Sequence, residues 1–225
     1  KLSRDSTILI VGLGNWNVTA DSLGPKVVSR VQVTRQIFKY APGEISNGYR
    51  SVCAVAPGVL GITGIETSDI IRGIVDKIKP DVVIAIDALA SRKLTRINNT
   101  IQITDTGINP GSGLGNNRNP LNYQSLGIPV IAIGVPTVVD AATVARDAIQ
   151  MLIDSMKKSG EDSGSYQFID NLNEDQKYSM IKEVLTPFEA NLVVTPKESD
   201  ELMDSISGII AKGLDSAVHP AMANI

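Results

Sequence analysis

Thr7-Ile8-Leu9-Ile10-Val11-Gly12-Leu13-Gly14-Asn15 is an apolar, β-branched run that stops in a pair of glycines, and Asp21-Ser22-Leu23-Gly24-Pro25-Lys26-Val27-Val28 follows with the look of a helix start. Strand, glycine turn and helix in that order form the first half of a βαβ unit. Val82-Val83-Ile84-Ala85-Ile86-Asp87 and Pro129-Val130-Ile131-Ala132-Ile133-Gly134 repeat the pattern downstream. The second of these is apolar on both alternating faces, as a central strand covered by helices must be. Strands are predicted near 7–13, 50–56, 82–87, 100–104, 129–134 and 191–195, and helices at 21–31, 66–78, 138–157, 173–185 and 197–215. The 138–157 helix is expected to gather Val138, Ala141, Ala142, Ala145, Ile149, Leu152 and Ile153 on one apolar side. The fold class expected is α/β, a mainly parallel twisted sheet with helices on both faces, hydrolase-like in architecture.

A chain of 225 residues, 43% hydrophobic and 20% charged, is large enough for one such domain over 1–225, with a possible flexible linker at 157–168. Residues 105–125, with Gly107, Gly111, Gly113 and Gly115, two prolines and five asparagines, read as one long loop. Aromatic residues make up 4% and the net charge is −3, which argues against a base-stacking platform and against an electrostatic footprint for nucleic acid or an anionic membrane. No apolar run approaches the roughly 20 residues a membrane helix needs. Cys53 stands alone, so an intrachain disulfide is excluded and a reducing cytoplasm is expected. Its setting, Ser51-Val52-Cys53-Ala54-Val55, reads as a buried strand with an inert thiol. The chain opens at Lys1 with a strand almost at once, so a processed or truncated chain is expected.

In an open parallel sheet, ligands bind outside the carboxyl ends of the strands. Asp21 and Asp87 both stand there. Asp21 has an ordinary reading as a helix N-cap. Asp87 follows five apolar residues, where an ionised carboxylate is costly unless paired, so its pKa is expected to be perturbed. With adjacent strands the two acids would face each other; one would hold a proton while the other activates water. The Gly12-Leu13-Gly14-Asn15 turn lacks the third glycine of a dinucleotide fingerprint, since Asn17 occupies that place, and no Gly-Lys-Ser/Thr phosphate loop is present. Its glycines instead let backbone pass close to a peptide or to the other carboxylate. Asp105-Thr106-Gly107 occurs once, in an α/β frame, so a turn is its expected role. His219, the lone histidine, reads as a helix C-terminal cation. Arg92, Lys93 and Arg96 read as a solvated face or as contacts for acidic substrate groups.

The combination resembles a known family. Gly12-Leu13-Gly14-Asn15 with Asp21-Ser22-Leu23-Gly24-Pro25-Lys26 is similar to the germination proteases of spore-forming bacteria, and the resemblance spans nearly the whole chain. It continues in Pro57-Gly58-Val59-Leu60-Gly61-Ile62-Thr63-Gly64-Ile65-Glu66-Thr67-Ser68-Asp69, Ala85-Ile86-Asp87-Ala88-Leu89-Ala90, Asn109-Pro110-Gly111-Ser112-Gly113, Gly134-Val135-Pro136-Thr137-Val138-Val139-Asp140 and Val194-Thr195-Pro196-Lys197-Glu198. The resemblance implies an atypical aspartic endopeptidase that degrades small acid-soluble spore proteins in the spore core, made as a zymogen and assembled as a homotetramer. It implies no cofactor and carries the two functional aspartates onto Asp21 and Asp87. It also implies a fold similar to the hydrogenase maturation endopeptidases, which bind nickel through two acids and a histidine. Here Val135-Pro136-Thr137 follows the 129–134 strand with no histidine, which favours direct carboxylate catalysis over a metal. Set against the resemblance, the stretch that family members carry ahead of the first strand is expected to be missing from this chain, and the region around 157–168 is expected to be shorter than theirs.

The expected substrate contacts are Gly14 and Asn15, Thr63 and Gly64, and Gly111 and Gly113 of the glycine-rich loop. Two alternatives stand beside the aspartic peptidase: a metal-dependent, maturation-type endopeptidase on the same fold, and a non-catalytic peptide-binding domain.

Overall fold

The computed structural model describes residues 2–45, 47–111, 118–159, 166–185 and 192–223. The expected alternation of elements is present. Strands β1 (Thr7–Gly12), β2 (Ser51–Val55), β3 (Val82–Ser91), β4 (Gln102–Thr104), β5 (Val130–Asp140) and β6 (Val193–Val194) are joined mainly through helices. The helices are α1 (Leu23–Val28), α2 (Arg35–Tyr40), α3 (Leu60–Thr63), α4 (Thr67–Ile78), α5 (Tyr123–Leu126), α6 (Ala141–Ser159), α7 (Gln167–Asp170), α8 (Glu174–Leu185) and α9 (Ser199–Val218). Among the described residues no helix is long and apolar enough to cross a membrane.

The sheet runs in the order β2-β1-β3-β5-β4, with β6 also pairing with β5. β1 pairs in parallel with β2 and β3, and β3 with β5; β4 and β6 are antiparallel to β5. The chain goes from β1 out to β2 and returns to lay β3 on the other side of β1, so the topological switch point lies between β1 and β3. Alternation along the strands sorts the core into two layers. Ile8, Ile10, Ile84 and Ile86 pack against Leu23 and Val27 of α1 and Met203, Ile210 and Leu214 of α9. Leu9, Val11, Val83 and Ala85 pack against Ile71 and Val75 of α4. Helices therefore cover both faces, which is why these strands are apolar throughout.

Several boundaries differ from the sequence reading. β3 does not stop at Asp87, and β5 does not stop at Gly134: they continue together, pairing Ala88 with Val135 and Ser91 with Val139 across a register shift after Leu89. Val138 accordingly belongs to β5, and α6 begins at Ala141. Val135–Val139 is β-branched apart from its proline, and an available partner strand keeps it extended. α6 runs through Lys157 and Lys158 to Ser159, so the first residues of the expected linker are helical; residues 160–165 lie outside the described ones. The expected 105–125 loop contains an isolated bridge between Ile108 and Leu121 and ends in the start of α5, capped by Asn122 and Ser125 acting reciprocally. His219 does stand at the C-terminal end of α9, but it faces the core and not solvent. It is fully buried; its Nδ1 accepts from the Arg50 amide at 3.3 Å and its Nε2 donates to the Gln32 carbonyl at 3.1 Å, the pattern of a neutral imidazole. Cys53 is half-buried with its thiol toward the Ile8 carbonyl, and burial pushes its pKa up, away from a reactive thiolate.

Candidate active site

At the end of β1 the Leu13 amide still donates to the Ile86 carbonyl at 2.8 Å, and then the chain turns away through Gly14. Gly14 has a φ of +111°, and a Cβ there would stand 2.1 Å from the Asp21 carbonyl oxygen. Only glycine allows the turn to fold back so tightly. Gly24 plays a similar part on α1, where a Cβ would meet the Leu13 carbonyl oxygen at 2.3 Å. The close strand–helix approach brings the Thr19–Asp21 turn over the strand ends.

Three consecutive residues of that turn are tied to three different places. The Thr19 hydroxyl donates to Asp200 of α9 at 2.9 Å. The Ala20 carbonyl accepts from the Thr137 hydroxyl of β5 at 2.6 Å. The Asp21 carboxylate accepts from the Asn15 amide at 2.7 Å. Asp21 is thus not the N-cap of α1; Ser22 holds that position, with no side-chain cap bond. Its carboxylate is held by the glycine turn instead.

Asp87 sits on β3 one residue past the last pairing with β1, 5% exposed, with the Ala88 amide donating to its Oδ1 at 2.9 Å. Burial, and secondarily the neighbouring Asp21 charge, push its pKa up to about 8 against the smaller pull of the Ala88 amide. Burial also raises Asp21, opposed by the Asn15 amide. The pair meets the condition set by the sequence: adjacent strands, acids together at the switch point, and at least one of them disposed to hold a proton at neutral pH.

Two cavities meet on these carboxylates. A larger one of about 660 Å³ and a smaller one of about 130 Å³ are both lined by Asp21, Asp87 and Gly111. The larger extends along Ala88–Arg92 to Arg96, and the smaller along Gly14, Gly58, Val59 and Leu60 to Arg118, which pairs with Glu66 at 3.6 Å. Of the expected substrate contacts, Gly14 and Gly111 line the cleft and Asn15 holds Asp21. Thr63 and Gly64 end the short α3, with the Thr63 hydroxyl turned to Val59 and Ile65; the residues of that segment at the cavity are Gly58–Leu60. Gly113 lies outside the described residues. Arg92 and Arg96 are exposed and also line the larger cavity, without an acidic partner among the described residues. The sequence reading did not single out Val18, Leu89 and Pro136, which complete the wall. Only the continuation of β3 and β5 past the sheet brings Leu89 and Pro136 there.

Two carboxylates are a sparse donor set for a metal. Among the described residues no three His, Cys, Asp or Glu side chains gather, and residues 112–117 contain none of these types. The nickel-type set of two acids and a histidine does not fit this site.

The model of the germination protease family matches residues 1–167 and 161–224. A germination protease of Clostridium tetani (strain Massachusetts / E88) is 56% identical over 223 residues, covering 99% of this chain and 69% of its own length. That of Bacillus subtilis (strain 168) is 47% identical, covering 97% and 68%. Among solved structures, a [NiFe] hydrogenase maturation protease from Thermococcus kodakarensis KOD1 is similar over 93% of each chain, with a TM-score of 0.44 and 16% identity.

Proposed function

This chain belongs to the germination protease family, and on that premise we propose that it is an aspartic-type endopeptidase whose Asp21 and Asp87 activate water to hydrolyse small acid-soluble spore proteins during germination. The observation that carries the reading is the unequal setting of two neighbouring acids. Asp87 is buried and disposed to keep its proton; Asp21 is more open, and its anion is favoured by the Asn15 amide. That inequality suits a general acid beside a general base.

In this mechanism the Asp21 carboxylate takes a proton from a water whose oxygen attacks the scissile carbonyl carbon. Asp87 hydrogen-bonds the carbonyl oxygen as charge develops there, then gives its proton to the departing nitrogen as the carbon–nitrogen bond breaks. The water has supplied hydroxide to the acyl carbon and a proton to the pair, so the products are a carboxyl group and an amine. One proton remains shared between the acids, and its return to Asp87 resets the site.

Action in the spore core, synthesis as a zymogen and assembly as a homotetramer belong to the same reading and rest on the family resemblance. The tetramer has further support in apolar side chains left open on α6, α7 and α8, among them Met151, Leu152, Phe168 and Val184, each at least 64% exposed. Light scattering at several concentrations tests the assembly. The test of function is digestion of a purified small acid-soluble spore protein, with and without EDTA, followed by intact-mass spectrometry. Discrete cleavages unaffected by chelation are expected. Cleavage lost with EDTA would replace the direct carboxylate mechanism by a metal-dependent one, and peptide binding without new termini would replace the enzyme by a binding domain.

A further inference from the structure

β3 outlasts the strand beside it. β1 ends at Gly12 and makes its last contact with β3 through Leu13, whereas β3 continues from Asp87 to Ser91 with β5 as its only ladder partner among the described residues. In a parallel ladder the backbone groups of successive residues point alternately to the two neighbouring strands. The Val83 amide donates toward β5, to the Pro129 carbonyl at 3.0 Å, and Ile86 bonds toward β1. The register shift after Leu89 skips Thr137 on β5 and no residue of β3, so the same alternation turns Ala88 and Ala90 to the side that β1 has vacated. The Ala88 amide is taken by Asp87. Ladder bonds to β5 apart, no hydrogen bond engages the Ala88 carbonyl or the backbone of Ala90 among the described residues. Ala88 and Ala90 are only half-buried, and both line the 660 Å³ cavity that contains Asp21 and Asp87.

An unpaired strand edge is a template for another extended chain. We infer that the substrate polypeptide adds to this edge as a strand, pairing main chain to main chain with Ala88–Ser91 and so laying its scissile bond against Asp87. The inference rests on the peptidase reading above. Four residues at about 3.3 Å each give roughly 13 Å of edge, enough for three or four substrate residues on one side of the bond to be cut.

The direct test uses the Asp87→Asn protein, which retains the cleft and the acceptor for the Ala88 amide, mixed with overlapping synthetic peptides that cover a small acid-soluble spore protein. Hydrogen exchange read by NMR is expected to slow about tenfold or more at the Ala90 amide when a bound peptide supplies its hydrogen bond; exchange unchanged at saturating peptide overturns the inference. A second test deletes the donor. Ala90→Pro removes an amide that the strand's alternation directs away from β5, so the fold should persist, while kcat/KM on the same peptides falls about tenfold, mainly through KM. Ala90→Ser, which keeps the amide, should restore it. A folded Ala90→Pro protein with unchanged kcat/KM also overturns the inference. Protection of Ala90 by peptides that the wild-type protein leaves uncut would remove the peptidase reading and keep the edge; cutting without protection would do the reverse.

Discussion

The backbone amide of Asn15 points at the Asp21 carboxylate from 2.7 Å, across the glycine turn that ends β1. Asp87, on the neighbouring strand, has a comparable bond from Ala88 but lies almost entirely out of water. A single backbone donor offsets part of the cost of burying a charge, and the two acids differ in how much cost remains. The difference, more than the mere presence of two acids, divides their proposed roles.

Replacing either acid should stop the reaction and leave the fold. Asp21→Asn and Asp87→Asn are each expected to lower the cleavage rate by about 10²–10⁴-fold, the usual worth of a positioned acid or base. Circular dichroism should stay native, since asparagine can keep the acceptor for the Asn15 or Ala88 amide. Intact-mass kinetics decide it, and a variant that cuts at near wild-type rate removes that residue from the mechanism.

The pH–rate profile should fall on its alkaline side as Asp87 loses its proton, with the limb near pH 8. Its acid limb follows Asp21 and should lie above the ordinary carboxylate range, because burial raises that group too. A profile flat from pH 6 to pH 10 would contradict the assignment of Asp87 as the proton donor.

Stability should carry the same signature with a definite sign. Folded Asp87 keeps its proton up to about pH 8, whereas the unfolded chain releases it near pH 4. The folded state therefore binds more protons between those values, and stability is greatest below about pH 4, declines through the window and levels off above about pH 8. Asp87→Asn has no such proton to lose. At pH 7 it should be more stable than the wild type, by on the order of 4 kcal/mol. Urea unfolding at several pH values measures this, and parallel curves for the two proteins would refute it.

Two glycines provide a matched test of the packing that carries the Asp21 turn. Gly24→Ala drives a methyl into the Leu13 backbone and should cost about 1–3 kcal/mol. Gly73→Ala lies on α4 with nothing within 4 Å of the new carbon, and should gain about 0.5–1 kcal/mol. Chemical denaturation of both variants gives the comparison. Equal effects would mean that the strand–helix contact at Leu13 is not as tight as drawn.

Much of the sheet could be read from Thr7–Asn15, Val82–Asp87 and Pro129–Gly134 because a strand covered on both faces must be apolar without interruption, and the glycines mark where it turns. The sequence also singled out Asp87, since a carboxylate at the end of such a run stands out against its surroundings. Side-chain composition alone determines these features. Strand ends were less legible. Whether Ala88–Ser91 and Val135–Asp140 stay extended depends on each having the other as a partner, and pairing across a sheet leaves no local mark. The short α2, α3 and α7 escaped for a related reason: segments of four to six residues hold too few positions to show a helical period.

What only the tertiary structure decided is the character of each ionisable group. The local sequence Thr19-Ala20-Asp21 before a helix reads as a cap, yet its carboxylate turns back to Asn15 because Gly14 and Gly24 let the backbone approach so closely. His219 reads as a helix C-terminal cation, yet it packs into the core with its ring nitrogens bonded to Gln32 and Arg50. Asp87 holds its proton because β5, the turn after β1 and Asp21 enclose it, and all three come from distant parts of the chain. A residue's type and its place in an apolar run are local facts. Its burial, its neighbours' charges and the backbone left unpaired beside it are properties of chains brought together, and here they distinguish the proposed acid from the base and leave open the edge where a substrate would lie.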